Sequence, residues 1–292
     1  MKINFINKII EFLRNKIDFL NPNPYKIFYI GGKKNKNAGD LFNINLAKFF
    51  GLKHVKTKIS NANCFFVGSI LEFIVTPANS KLPKYDVNKC IIAGAGFIEK
   101  AKFEEQLTKE VDIRALRGKL SKERLEKILN KEINCTLADP GILASVIFPC
   151  KSDKKYKLGI IPHFIDKKSA YLKNIHVENT LLIDIEQEIS EVLKQINECE
   201  CIVSSSLHGL IFSDSYNIPN QQMVLSDLII GGEYKFKDYY SAYDMELPEI
   251  FDLRKNIITE ENVKNIIKNY TNKSKAIKKK QLELIHIYEH LN

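Results

Sequence analysis

Apolar residues along this chain follow two rhythms. Short apolar runs at 27–30, 64–67, 90–93 and 111–116 alternate with stretches, 41–50 and 120–129, where apolar residues return every three or four positions. The first rhythm predicts strands and the second predicts helices. A second series repeats the alternation, with strands expected at 158–161, 180–185, 201–204 and 222–225 and helices at 189–196 and 207–215. Between the two series lies the charged stretch Lys151-Ser152-Asp153-Lys154-Lys155, which has no apolar period and reads as a linker. Ahead of both, Phe5, Ile6, Ile9, Ile10, Phe12, Leu13 and Ile17 form a helical ladder that stops at Asn21-Pro22-Asn23-Pro24. From Glu260 the chain reads as helical to its end, with lysines over 273–280 and an apolar ladder of Leu282, Ile285 and Tyr288.

Strands that alternate with helices predict an α/β protein with parallel sheets covered on both faces, which bind ligands beyond the carboxyl ends of their strands. The expected organisation is an amphipathic helix over 1–24, one α/β domain over 25–150, a second over 151–259, and a helical segment over 260–292. Composition adds little to this picture. Forty-four basic against thirty-five acidic residues give a net charge of +9, which favours anionic neighbours without choosing among them. The six cysteines are scattered and lack CxxC spacing, so a reduced cytoplasmic protein is expected. The first twenty residues mix charges among apolar positions, so they do not read as a signal peptide or a membrane span.

Three strand ends carry candidate chemistry. In Ser204-Ser205-Ser206-Leu207-His208-Gly209 an apolar strand ends in serines and a helix begins, placing His208 where free N–H groups and the helix dipole attract anions. An imidazole there can carry protons near neutral pH. Serine capping with a packed histidine is the competing explanation. In Gly31-Gly32 to Gly39-Asp40 a strand opens into a polar loop and a helix, with Asp40 at the expected N-cap. This loop is neither a Walker loop nor a dinucleotide fingerprint. The strand 111–116 delivers Arg114 and Arg117 to its end, and arginine forks grip phosphate or carboxylate at two points. Weaker pieces are Gly94-Ala95-Gly96, Asp139-Pro140-Gly141, and His163 after Ile161-Pro162. The stretch Gly231 to Tyr240, holding Lys237 and Tyr239, reads equally as a mobile loop suited to stacking on sugar or as a surface loop with ordinary packing aromatics.

In this order the Gly39-Asp40 loop, the Arg117-Gly118 turn, Asp139-Pro140, Pro162-His163, Ser206-Leu207-His208-Gly209, Ile218-Pro219-Asn220 and Lys237 to Tyr240 resemble the polysaccharide pyruvyl transferase family. The resemblance runs from about Phe28 to Tyr243. It implies two Rossmann-like domains facing across a cleft, as in glycosyltransferases of the B type. It also implies transfer of the enolpyruvyl group of phosphoenolpyruvate onto two hydroxyls of a bacterial surface polysaccharide as a ketal. On that template His208, Asp40 and Arg117 are catalytic. His208 is the general acid/base, Asp40 orients or deprotonates the acceptor, and Arg117 holds the donor. Arg114, Gly39, Ser205, Ser206, Leu207, Gly209, His163, Gly94, Gly96, Lys237 and Tyr239 bind substrate. No metal, cofactor or nucleic acid is expected. The acceptor is a saccharide, free or lipid-linked. The two chain ends read either as a peripheral contact with an anionic membrane or as a helix packed on the body and a lysine-solvated surface helix. A glycosyltransferase using a nucleotide sugar, or an inactive module of a polysaccharide assembly complex, stays open on the same residues.

Overall fold

The computed structural model describes residues 25–31 and 37–291. The expected helix over Phe5 to Ile17 lies outside the described residues.

Two parallel sheets account for the strand series. In the first half β1 (Tyr25–Ile27), β2 (His54–Lys56), β3 (Cys64–Phe65), β5 (Lys89–Ala93), β7 (Glu110–Leu116) and β8 (Thr136–Leu137) form a six-stranded sheet of order β2-β1-β3-β5-β7-β8. A small antiparallel pair, β4 (Val75–Pro77) with β6 (Glu105–Leu107), stands beside it. In the second half β9 (Tyr156–Ile161), β11 (Thr180–Leu182), β12 (Cys199–Ser204), β13 (Asn220–Val224) and β14 (Phe251–Asp252) form a five-stranded sheet of order β11-β9-β12-β13-β14. A two-residue pair joins β10 (Ile175–His176) to β15 (Ile258–Thr259). The central strands β9 and β12 each end in four consecutive buried residues, as expected of strands covered on both faces.

The described residues hold eight α-helices: α1 (Ala38–Phe49), α2 (Lys119–Leu129), α3 (Ala144–Ile147), α4 (Ile189–Asn197), α5 (Leu207–Ser215), α6 (Tyr234–Ser241), α7 (Glu260–Asn269) and α8 (Ser274–Glu289). Helix α5 is buried along its whole length, which explains its lack of a polar face. It lies between β12 and the 3-10 turn Pro140–Leu143 of the first half. The ring of Phe212 on α5 meets Phe42 of α1 edge-on at 5.6 Å. The largest apolar cluster accordingly draws on both halves, from Ile27, Phe42 and Ile142 to Ile161, Leu210 and Phe212.

Three expectations need correction. The stretch 234–241 is a helix, because Phe236, Tyr239 and Tyr240 bury one face at helical spacing, and Tyr239 is fully enclosed with its hydroxyl donating to Asp214. Tyr239 therefore offers no ring to a sugar. The C-terminal ladder is also displaced: Leu282 is 68% exposed, whereas α8 buries Ile277, Gln281, Leu284 and Tyr288. Tyr288 stacks on Phe50, meets Phe66 edge-on and donates to the Ala93 carbonyl, so the end of the chain packs on the first half. Nor do the lysines over 273–280 make one exposed patch. Lys273 is buried in an ion pair with Asp214 at 3.0 Å, and Lys280 donates to the Leu137 carbonyl at 2.6 Å.

Candidate active site

The carboxyl end of β12 and the start of α5 fix His208. The Ser204 hydroxyl donates to the carbonyls of Ile161 and Ser206 and accepts from the Ser206 N–H, locking the turn between strand and helix. Ser205 accepts from the His163 N–H and donates to Asp166, while Leu207 is buried among apolar side chains. A side chain on Gly209 would strike Ser204, so glycine lets α5 begin against the sheet. Ser205, Ser206, Leu207 and Gly209 thus build the turn that aims His208.

The first half supplies the opposite wall. A Cβ on Gly39, in the first turn of α1, would lie 2.1 Å from the His208 Nδ1, so only glycine lets the imidazole rest there. The N-cap of α1 is Asn37, whose side chain accepts from the Gly39 N–H, and not Asp40 as the sequence predicts. Asp40, the third residue of the helix, is left free of capping duty and lies beside Gly68. On the other side of the ring, His208 Nε2 stands 4.0 Å from Asp139 Oδ1, which accepts from the Gly141 N–H. That is too long for a hydrogen bond. Among the described residues His208 Nε2 and Asp139 Oδ2 are both buried and unpartnered, a costly condition that a bound hydroxyl relieves. Gly94 packs against Pro140 of this turn.

Arg117 is fully buried. Its guanidinium donates to Asp238 on α6 at 2.9 Å, to Ser69 at 2.6 Å and to the Phe97 carbonyl, and Gly96 leaves room for it. Asp238 also accepts from the Ser121 N–H and hydroxyl. The fork is therefore closed on protein groups, and it ties α6 to the first half. Arg114 does not join this cluster: its side chain is half exposed and pairs with Asp112. Lys237 likewise faces outward, paired with Glu233 at 2.7 Å.

The residue that α6 carries inward is Lys235, which the sequence does not single out. It is 7% exposed, and among the described residues it makes no hydrogen bond or ion pair. Burial, and then the Arg117 charge, lower its pKa to about 8, against the pull of Asp40 and Asp166. Lys235 and Asp238 share a helix face with Tyr239 at helical spacing, and that period is the signal that could have found it. The other groups respond to the same enclosure. Burial raises Asp40 to about 7, although Lys235 and Lys56 oppose it. Burial and the charges of Arg117 and Lys235 lower His208 to about 3. Burial followed by Lys235 lowers His163 to about 4. Asp139 is raised to about 6, again mainly by burial.

Beside Ser205 a cavity of about 810 Å³ opens between the halves. It is lined by Glu99, Lys100 and Leu120 of the first half and by Gln222, Ser226 and Lys237 of the second. Among the described residues the buried Gln222 Oε1 has no partner.

A buried lysine, a carboxyl whose pKa is raised to about 7 and an imidazole whose pKa is lowered, gathered near the carboxyl ends of parallel strands, mark a candidate active site in an α/β protein. Comparison with known proteins narrows the class. Residues 6–220 match the family model for polysaccharide pyruvyl transferase, and the chain belongs to that family. It is 32% identical over 228 residues to the uncharacterized protein L143 of Acanthamoeba polyphaga mimivirus, covering 73% of each chain. It is 25% identical over 173 residues to the succinoglycan biosynthesis protein ExoV of Rhizobium meliloti (strain 1021), covering 59% of this chain and 52% of that one. No solved structure gives a significant match. Membership of the family indicates a role in polysaccharide modification.

Proposed function

We propose that this chain transfers the enolpyruvyl group of phosphoenolpyruvate onto two hydroxyls of a surface-polysaccharide sugar, in a cleft of the glycosyltransferase-B kind between domains over 25–150 and 151–259. The observation that carries this reading is Lys235, a buried lysine that among the described residues makes no ion pair and that acts electrostatically on Asp40, His208 and His163. A buried lysine left unpaired in the folded protein is suited to an anionic ligand. Lys235 binds the donor's phosphate or carboxylate, helped by the N–H groups at the start of α5. The cavity beside Ser205 takes the acceptor.

His208 enters the cycle neutral, so its first act is to accept a proton. It takes the proton of the first sugar hydroxyl as that oxygen bonds to the central carbon of the donor, and the imidazolium returns the proton to the methylene carbon. The second hydroxyl then bonds to the same carbon, the carbon–oxygen bond to phosphate breaks with its electron pair leaving on phosphate, and Asp40 takes the second proton. Asp139, opposite the imidazole, steadies the imidazolium. Arg117 keeps α6, and with it Lys235, in place.

Two measurements test these assignments. Phosphoenolpyruvate is expected to raise the melting temperature of the parent protein, by the equivalent of about 2.7 kcal/mol at a hundred times its Kd. It should not stabilise Lys235→Met, and equal stabilisation of that variant would remove Lys235 from donor binding. The kcat/KM profile should fall above an apparent pKa of about 8, where Lys235 loses its proton, and below about 7, where Asp40 gains one. In Lys235→Arg the alkaline limb should move up, since a guanidinium keeps its charge.

We also place the protein in the cytoplasm, at the inner face of a membrane that bears lipid-linked acceptors. Among the described residues no helix is long and apolar enough to cross a membrane. The exposed lysines Lys275, Lys278 and Lys279 of α8 and the sequence ladder from Phe5 to Ile17 suit an anionic surface, at about 1 kcal/mol per charge. Salt-sensitive co-sedimentation with anionic vesicles, reduced when these three lysines become glutamine, is the expected result. No pelleting at low salt would end this assignment.

A further inference from the structure

Apart from the cavity beside Ser205, the amino-terminal end of β13 meets α7 and the turn leading to α8 around a second cavity of about 530 Å³. Its wall is made mostly of neutral hydrogen-bonding groups and aromatic rings, with the carboxylate of Glu249 and the ion-paired Lys273 among them. Asn265 and Asn269 project from α7 at i and i+4, and among the described residues neither amide makes a hydrogen bond within the protein. Asn220, only 8% exposed, gives its amide N–H groups to Asp214 and to the Ile218 carbonyl, and leaves its Oδ1 buried without a partner. The rings of Tyr240, Tyr270 and Phe251 complete the lining.

The charges beneath are already balanced. Asp214 holds Lys273 at 3.0 Å and accepts from the hydroxyls of Tyr239 and Tyr270, each at 2.8 Å, so the floor presents a closed ion pair. Among the described residues an anionic ligand finds no uncommitted cation in this lining, and a cationic ligand finds Asp214 fully subscribed and only the solvent-exposed Glu249. A ligand that fits free amides, an orphaned amide oxygen and aromatic faces is an uncharged one with many hydroxyls, which exchange donors and acceptors with amides while their ring C–H faces pack on aromatics.

We infer that this cavity is a second saccharide-binding site, separate from the cleft and specific for neutral sugar units. It adjoins the start of β13, whereas Ser205 and His208 follow the carboxyl end of the parallel strand β12. A polymer held there raises the effective concentration of its own units near the protein without entering the reaction. The inference does not rest on the transfer chemistry, since an idle cleft would leave this cavity unchanged.

The test uses saturation-transfer NMR on the full chain with neutral tri- to hexasaccharides of glucose, galactose, mannose and N-acetylglucosamine, and with uridine and adenosine nucleotides as controls. The variants are Asn265→Leu/Asn269→Leu, whose positions are exposed on α7, and Lys235→Met in the cleft; circular dichroism melts verify that each is folded. Saturable binding of at least one oligosaccharide, weakened tenfold or more in the asparagine variant and unchanged in Lys235→Met, is expected. The inference is overturned if no oligosaccharide binds saturably, if only nucleotides bind, or if the asparagine variant binds oligosaccharide as the parent does, whatever Lys235→Met does.

Discussion

Replacing His208 with alanine is expected to lower kcat for pyruvyl transfer by about 10²–10⁴, the usual share of a positioned proton carrier. The fold should survive the change. His208 makes no hydrogen bond that holds the turn together, since Ser204 and Ser205 do that, and its ring rests on Gly39 and faces Asp139 across a gap of 4.0 Å. Removing the ring leaves a small space at the cleft wall and relieves one of the two orphaned polar atoms there. Phosphoenolpyruvate should still stabilise His208→Ala against heat, because Lys235 remains. Turnover near the parent rate would take His208 out of the proton transfers, whereas loss of donor binding together with turnover would show that it holds the donor.

A larger effect on stability is expected from Arg117. Arg117→Met leaves the Asp238 carboxylate buried with only Ser121 to satisfy it, which costs about 3–5 kcal/mol. That is a large part of a typical folding free energy, and for a chain of this size it lowers the melting temperature on the order of 10 °C. In Arg117→Met/Asp238→Leu the uncompensated charge is gone, and stability should return in large part. Activity discriminates between two roles for Arg117. If it only positions α6, the double variant regains activity along with stability. If its charge also tunes the site, the variant recovers stability while its pH profile shifts upward, because the Arg117 charge helps to lower both Lys235 and His208. Stability unchanged in the single variant would contradict the buried pair as the tie between the halves.

Much of this fold is legible in the sequence because parallel strands covered on both faces are written as apolar runs. The runs at 90–93, 111–116 and 201–204 each fall within a strand, and α5 spans 207–215 as its pattern predicts. His208, Asp40 and Asp139 were visible because they stand at strand or helix ends, where local sequence sets the geometry. Lys235 was not. It shares a short stretch with Lys237, and Gly231-Gly232 ahead of them suggest a loop; only the helical period of Phe236, Tyr239 and Tyr240 separates the buried lysine from the exposed one. The closure of the Arg117 fork was out of reach for a different reason, since its partner Asp238 lies 121 residues away. Lys273 was grouped with its neighbours because adjacency in sequence cannot show that one lysine of five turns inward to Asp214.

The claim that this chain is a ketal-forming transferase is tested most directly by phosphorus NMR of the purified protein with phosphoenolpyruvate, a set of nucleotide sugars and the surface glycan of its source organism. The account predicts that inorganic phosphate appears from phosphoenolpyruvate only when the glycan is present, in equal number with the pyruvyl groups gained by the glycan. It also predicts that His208→Ala releases none above background. Release of a nucleotide from a nucleotide sugar, with phosphoenolpyruvate left intact, would contradict it.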